Sequence, residues 1–452
     1  MAQLQKDYAD DIYPFFEEYC FSCHSERRHK AEVNLEAVTE LSAIGEHPEM
    51  WERVVAMLDS GQMPPEKKDQ PEDADRAAII AFIDAELDAA TQAMQPDPGH
   101  ITAQRLNRQE YDNTIRDLLG EKKNFSRVFP VDDSGYGFDN IGDVLTVSPL
   151  LMEKYMSAAE EIIERAMTGQ SKSADSDTVP KIFQCQHTTG TDHTDECAKI
   201  SLQHFASRAY RRPVSNSEVR DLMKLVALAE DEGDGIEFGM KLALQAVLVS
   251  PHFLFRIEQD QHAGDATSPR FVNDYELASR LSYFLWSSMP DSTLFTLARK
   301  NTLHDPKVLN AQIERMIADE KSKAFVENFT GQWLELRNLA IIDRDKKIFP
   351  DFSRALRNSM RKESELFFEA LLRDNESILN FLDSDFTFVN EVLAKHYGID
   401  GVTGEEHRRV SLKGGQRGGV LTQGSVLTVT SRPTRTSPVL RGAWVMANIL
   451  GA

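Results

Sequence analysis

Two cysteines three residues apart, with a histidine directly after the second, stand at Cys20, Cys23 and His24. This spacing is the attachment motif of a c-type haem. The thiols add to the vinyl groups, and the histidine binds the iron on one face. A structural zinc site would need four ligands, usually as two paired sets. The other cysteines, Cys185 and Cys197, are distant and twelve apart. A thioredoxin-like dithiol would need a βαβ setting, and the surrounding sequence has none. The motif thus sets one covalent haem c, redox chemistry and an oxidising compartment together.

A haem iron needs a ligand on its other face. The stretch Trp51 to Pro65 reads as an amphipathic helix, with Trp51, Val54, Val55 and Leu58 on one face. Gly61 ends it, and Met63 follows in a segment held extended by Pro64 and Pro65. A thioether on a short rigid loop suits a His/Met cytochrome. The expected iron ligands are therefore His24 and Met63. The alternative is that Met63 fills a gap in the core. Met50 and Met57 compete with it, and His29 or His47 would give a bis-histidine site.

The segment Tyr13-Pro-Phe-Phe-Glu-Glu-Tyr-Cys-Phe-Ser-Cys-His24, then Leu35, then Trp51 to Pro65, resembles the small cytochrome c domain that opens large planctomycete-type proteins. The resemblance continues through Arg105 to Gly120, Phe129 to Asn140, Arg208 to Pro213, Tyr275 to Trp286, and Arg417 to Trp444. It covers nearly the whole chain. It implies a class I-like cytochrome c domain followed by helical domains whose task is unknown. In the family the chain usually runs on past Gly451, so a fragment is expected here. The expected divisions are 1–95 for the cytochrome domain, then 100–170, 180–262, 270–400 and 405–452.

The fold class expected is mainly α, a small cytochrome domain followed by a larger multi-helix body with little strand. Asn107 with Glu110 and Ser215 with Glu218 read as capping boxes. Ser148-Pro149 opens another helix, and Gly235 to Val249 is an apolar one that stops before Pro251. Helices are also expected over 273–286, 305–317, 323–336, 352–372 and 390–397, with one strand near 384–389. The stretches 95–99 and 168–178 read as linkers.

A net charge of −21 argues against nucleic-acid binding, which wants a basic face. It suits steering toward a basic redox partner, or simply solubility. No apolar run reaches the length of a membrane span. The start, Met1-Ala-Gln-Leu-Gln-Lys, is not a leader. Haem attachment at this motif happens outside the cytoplasm, so a periplasmic or otherwise exported protein that has lost its leader is expected. In that compartment Cys185 and Cys197 form a disulfide or stay as buried thiols.

Three places in the body could bind something. Asp132, Asp133, Asp139 and Asp143 sit among glycines, as in a calcium loop or an ordinary turn. Arg208, Arg211 and Arg212 could hold an anion or pair with acids. The loop Ser431 to Pro438 is a ligand pocket or a capped turn. His252 and His396 read as structural. No nucleotide loop, nucleophile elbow or zinc-protease motif appears. Three functions stay open. One is an electron carrier serving a redox protein or a small-molecule donor. Another is an oxidoreductase with the haem domain as outlet. The third is a glycan- or partner-binding surface protein.

Overall fold

The computed structural model describes residues 8–93, 103–168, 182–184, 193–258, 271–412 and 417–451. The chain divides into two compact units, one ending at Gly99 and one comprising nearly all the rest. Both linker stretches, 95–99 and nearly all of 168–178, lie outside the described residues.

The first unit is built around the helices α1 (Tyr13–Tyr19), α2 (Pro48–Asp59) and α3 (Asp73–Ala93), with a shorter helical turn over Ser42–Glu46. Helix α2 starts at a proline in its first turn, and Gly61, at φ +66°, turns the chain away after its end. Trp51 and Leu58 are buried from α2, while Val54 and Val55 are half-buried. They pack with Tyr8, Phe15 and Phe16 from the N-terminal turns, Leu35, Val38 and Ile44 from the connection, and Ile79 and Ile83 from α3. Between α1 and α2 lies one short antiparallel pair, β1 (His24–Ser25) with β2 (Arg28–His29).

The second unit is mainly helical. Helix α4 (Arg108–Leu119) carries the predicted capping box: Asn107 accepts from the Glu110 N–H, and Glu110 accepts from the Asn107 N–H. Gly120, at φ +76°, ends it. Next come α5 (Pro149–Met167), α6 (Asp195–Ala209), α7 (Asn216–Asp231) and α8 (Gly235–Val249). Ser215 and Glu218 form the second capping box, at the head of α7. Gly239 of α8 allows that helix close to α7, since a Cβ there would meet the Val226 backbone at 2.6 Å. These five helices share one core, from Leu106 to Leu254, which Tyr283 and Met289 also join.

Helices α9 (Asp274–Trp286) and α10 (Pro306–Ala318) close a second core around Trp286. Helix α11 (Arg354–Arg373) carries Phe367 and Leu371 into a third core with Trp444 of α12 (Pro438–Val445). Two more strand pairs occur. In one, β3 (Gln104–Arg105) runs antiparallel to β4 (Phe255–Arg256), with Gln104 opposite Arg256. In the other, β5 (Phe386–Val389) pairs with β6 (Arg408–Ser411). The mainly helical expectation therefore holds, with one strand at the place foreseen near 384–389. Among the described residues no helix is long and apolar enough to cross a membrane.

Candidate functional site

The residues from Cys20 to His24 coil into a single tight turn. The backbone N–H groups of Cys23 and His24 both donate to the Cys20 carbonyl, at 3.0 and 2.9 Å. The turn continues α1, because the Cys20 N–H still donates to the Phe16 carbonyl at 2.8 Å. Cys20 and Cys23 are free thiols, both half-buried. Burial, helped by Cys23 nearby, pushes the Cys20 thiol up to about 12, so a neutral sulfur is what this position accepts.

His24 is half-buried, and its Nδ1 lies 3.4 Å from the Val33 carbonyl. With the proton on Nδ1 the ring donates to that carbonyl and leaves Nε2 with its lone pair available. A backbone carbonyl of this kind fixes tautomer and ring direction for a metal-binding histidine. The indole Nε1 of Trp51 is buried and has no hydrogen-bond partner. An orphaned donor in a core is costly unless a ligand or water completes it. These residues fit a haem: two half-buried thiols one turn apart and an imidazole oriented by a backbone carbonyl.

Met63 stands in a loop that α3 holds in place. Arg76 donates from Nη1 to the carbonyls of Leu58, at 3.0 Å, and Met63, at 3.2 Å. Gln70 donates to the carbonyls of Pro64 and Pro65, and Arg76 donates to Gln70 in turn. The Met63 N–H donates to the Met57 carbonyl at 3.0 Å. Pro64 is buried, whereas the side chain of Met63 is 37% exposed. Met57 is exposed to a similar degree, and Met50 packs on the core. His29 and His47 are exposed, and His29 lies against the Glu26 carbonyl.

In the body two aspartates of the glycine-rich loop, Asp132 and Asp139, have separate partners. Asp132 accepts from the buried guanidinium of Arg105 at 2.6 Å and from the Arg108 N–H at 2.8 Å. Asp139 accepts from the Asn107 amide at 2.9 Å and from Arg337 at 2.5 Å. Asp133 and Asp143 are exposed. Among the described residues no group of three or more potential metal ligands gathers anywhere. Gly135 and Phe138 bridge each other across a tight turn, which is what the glycines serve.

The arginine set also separates. Arg208 donates to the Asp117 carbonyl at 3.0 Å. Arg211 is buried and donates to the carbonyls of His252, Phe253 and Phe255. Only Arg212 takes a carboxylate, bonding Glu218 through both terminal nitrogens. The loop from Ser431 to Pro438 closes with Ser437 capping α12, and Arg344 donates to the Arg432 and Thr428 carbonyls. Cys185 lies outside the described residues. Cys197 is buried in the first turn of α6.

The structure places Arg211 and Arg212 on one cleft, together with residues that the sequence did not single out. That cleft, of about 710 Å³, lies where β4, α4 and α9 meet. Glu110 reaches its wall with Oε1, 3.7 Å from a terminal nitrogen of Arg256. Burial raises the pKa of Glu110, and Arg256 acts against that shift. Arg256 closes the apolar run Phe253-Leu254-Phe255, a small signal that a charge is being placed at the edge of a core.

Five known family models match successive parts of the chain. Residues 20–67 match the family model described as Planctomycete cytochrome C. Four models described only as proteins of unknown function follow: DUF1587 over 104–168, DUF1595 over 197–258, DUF1592 over 272–399 and DUF1588 over 417–452. This order is that of the planctomycete-type multi-domain cytochrome c proteins, and the chain belongs to that family. Its first unit is thus a cytochrome c-like electron-transfer module. No curated protein and no solved structure matches the chain.

Proposed function

We propose that this protein is an exported electron carrier with one covalently bound haem c. Cys20 and Cys23 would hold the group through thioether bonds, and His24 and Met63 would bind its iron. When bound, the haem supplies a one-electron couple between ferric and ferrous iron. The chain's own residues do the rest. Val33 orients His24, and Arg76 with Gln70 stiffens the Met63 loop. A thioether ligand raises the potential, and a filled coordination sphere leaves no place for a substrate on the iron. The observation that carries the reading is the orientation of His24 beside the two cysteines.

The partner is a redox protein or a small-molecule donor, in keeping with the acidic surface. Export matches the compartment in which such haems are attached. It also favours a disulfide between Cys197 and Cys185, which mass spectrometry of the non-reduced protein would detect.

A pyridine haemochrome spectrum tests the covalent haem. The far-red sulfur-to-iron band of the oxidised protein tests Met63. That band should vanish in Met63→His; its persistence would sink the assignment of Met63 and shift it to Met57.

A further inference from the structure

The cleft at the meeting of β4, α4 and α9 holds a guanidinium whose donors are unused. Arg256 has a side chain only 16% exposed, and its Nε is buried with no partner. Among the described residues it donates no hydrogen bond. Its contacts are the 3.7 Å approach to Glu110 and the face of the Tyr283 ring, 5.0 Å away. An arginine offers five donors in a planar fork. Removing such a group from water without hydrogen bonds is unfavourable unless something else completes it. The pairing of β4 with β3 and the stacking on Tyr283 hold it in place without using those donors.

The other cations around the cleft are engaged. Arg280 bonds Glu258 through two nitrogens at 2.5 Å each, Arg212 bonds Glu218, and Arg211 bonds three carbonyls. One unspent positive fork therefore faces a space also lined by the carboxylates Glu110, Glu258 and Glu276. A doubly charged phosphate would be repelled by those carboxylates more than a singly charged group. The rings of Tyr210, Tyr283 and Phe284 add apolar faces for an organic body. The volume lies in the range of small-molecule clefts.

We propose that this cleft binds a small organic monocarboxylate, with its carboxylate on the Arg256 fork and its body against the tyrosine rings. A planar guanidinium matches a carboxylate through two parallel hydrogen bonds. The site lies wholly within the helical body and gives that body a ligand of its own.

Isothermal titration of the haem-loaded full chain tests this, with acetate, 4-hydroxybenzoate and D-glucuronate as probes and inorganic phosphate as comparison. Saturable binding of at least one carboxylate, with phosphate clearly weaker, is expected. Arg256→Gln should weaken it by roughly 10- to 100-fold, the range for charge-assisted hydrogen bonds. Arg256→Lys should recover part of the loss. Because Arg256→Gln also leaves Glu110 buried without its cation, Ser279→Trp provides an independent check. It fills the cleft from a half-buried position on α9 and should abolish binding with the melting temperature unchanged. Binding by none of the carboxylates, phosphate binding as tight as theirs, or binding that survives both Arg256→Gln and Ser279→Trp would overturn the proposal.

Discussion

The two units handle charge in opposite ways. Among the described residues of the first unit there is no ion pair, and its one structural arginine, Arg76, is turned on backbone carbonyls. The body buries carboxylates and guanidinium groups together. Arg105 and Asp132 are 4% and 7% exposed, and Asp117 gathers Arg116, Lys321 and the Ser288 hydroxyl. Burial alone would raise the Asp117 pKa, but Arg116 and Lys321 outweigh it and hold it below its ordinary value. The first unit is small, and its core includes a tryptophan with an unmet N–H. The body engages most of its buried charge in its own polar networks, though Arg105 and Arg256 each keep an unpartnered Nε there.

The largest expected effect breaks or upholds that contrast. Replacing both Cys20 and Cys23 by alanine should destabilise the first unit by more than about 4 kcal/mol, the scale of a tightly held ligand. The unfolding transition of the body should not move. Calorimetry resolves the two, and equal shifts in both transitions would end the contrast.

Next comes Arg105→Ala, which strands Asp132 in the body's interior. A loss of roughly 3–5 kcal/mol in denaturant unfolding is expected, with the haem spectrum unchanged.

Glu363, fully buried on α11, comes third. It accepts from the hydroxyls of Thr387 and Tyr397, both at 2.6 Å, yet burial lifts it from its ordinary 4.5 to about 7. Between those values the native state holds a proton that the unfolded chain has released. Stability of the body should therefore fall as pH rises from 4.5 to 7, by roughly 3 kcal/mol in all. Glu363→Gln should flatten that slope in a pH series of denaturant melts. A slope equally steep in the variant would assign the titration to other groups.

The smallest effect is Arg76→Ala, at about 1–2 kcal/mol for two hydrogen bonds to carbonyls. It should loosen the Met63 loop, and the far-red band should fade at a lower temperature than in the parent protein. A band with unaltered thermal loss would show that Arg76 does not hold the ligand.

What could be read from the sequence follows the distance over which each interaction acts. The capping boxes at Asn107 and Ser215 lie within three residues, and both formed as expected. The turn around Cys20 is as local, so the haem motif was legible from a five-residue string. The aspartate loop was not, because its partners lie far along the chain: Arg105 is 27 residues from Asp132, and Arg337 is 198 from Asp139. Nothing local marks such pairings, and acidic loops that bind cations look the same. The cleft at Arg256 was hidden for the same reason. Glu110 was legible as a cap through one oxygen, while its other oxygen faces an arginine delivered by a strand pairing across some 150 residues.

The core that runs from Leu106 to Met289 bears on how this protein can be inherited and cut. It draws side chains from three separately catalogued blocks, 104–168, 197–258 and 272–399. Asp117 adds a polar rivet, binding Arg208 of the second block and Ser288 and Lys321 of the third. A gene rearrangement that moved one block alone would carry off part of a shared interior and leave the remainder open to water. A piece for expression that keeps these interiors whole begins near residue 103 and holds all three blocks together with 417–452, whose Trp444 packs on Phe367.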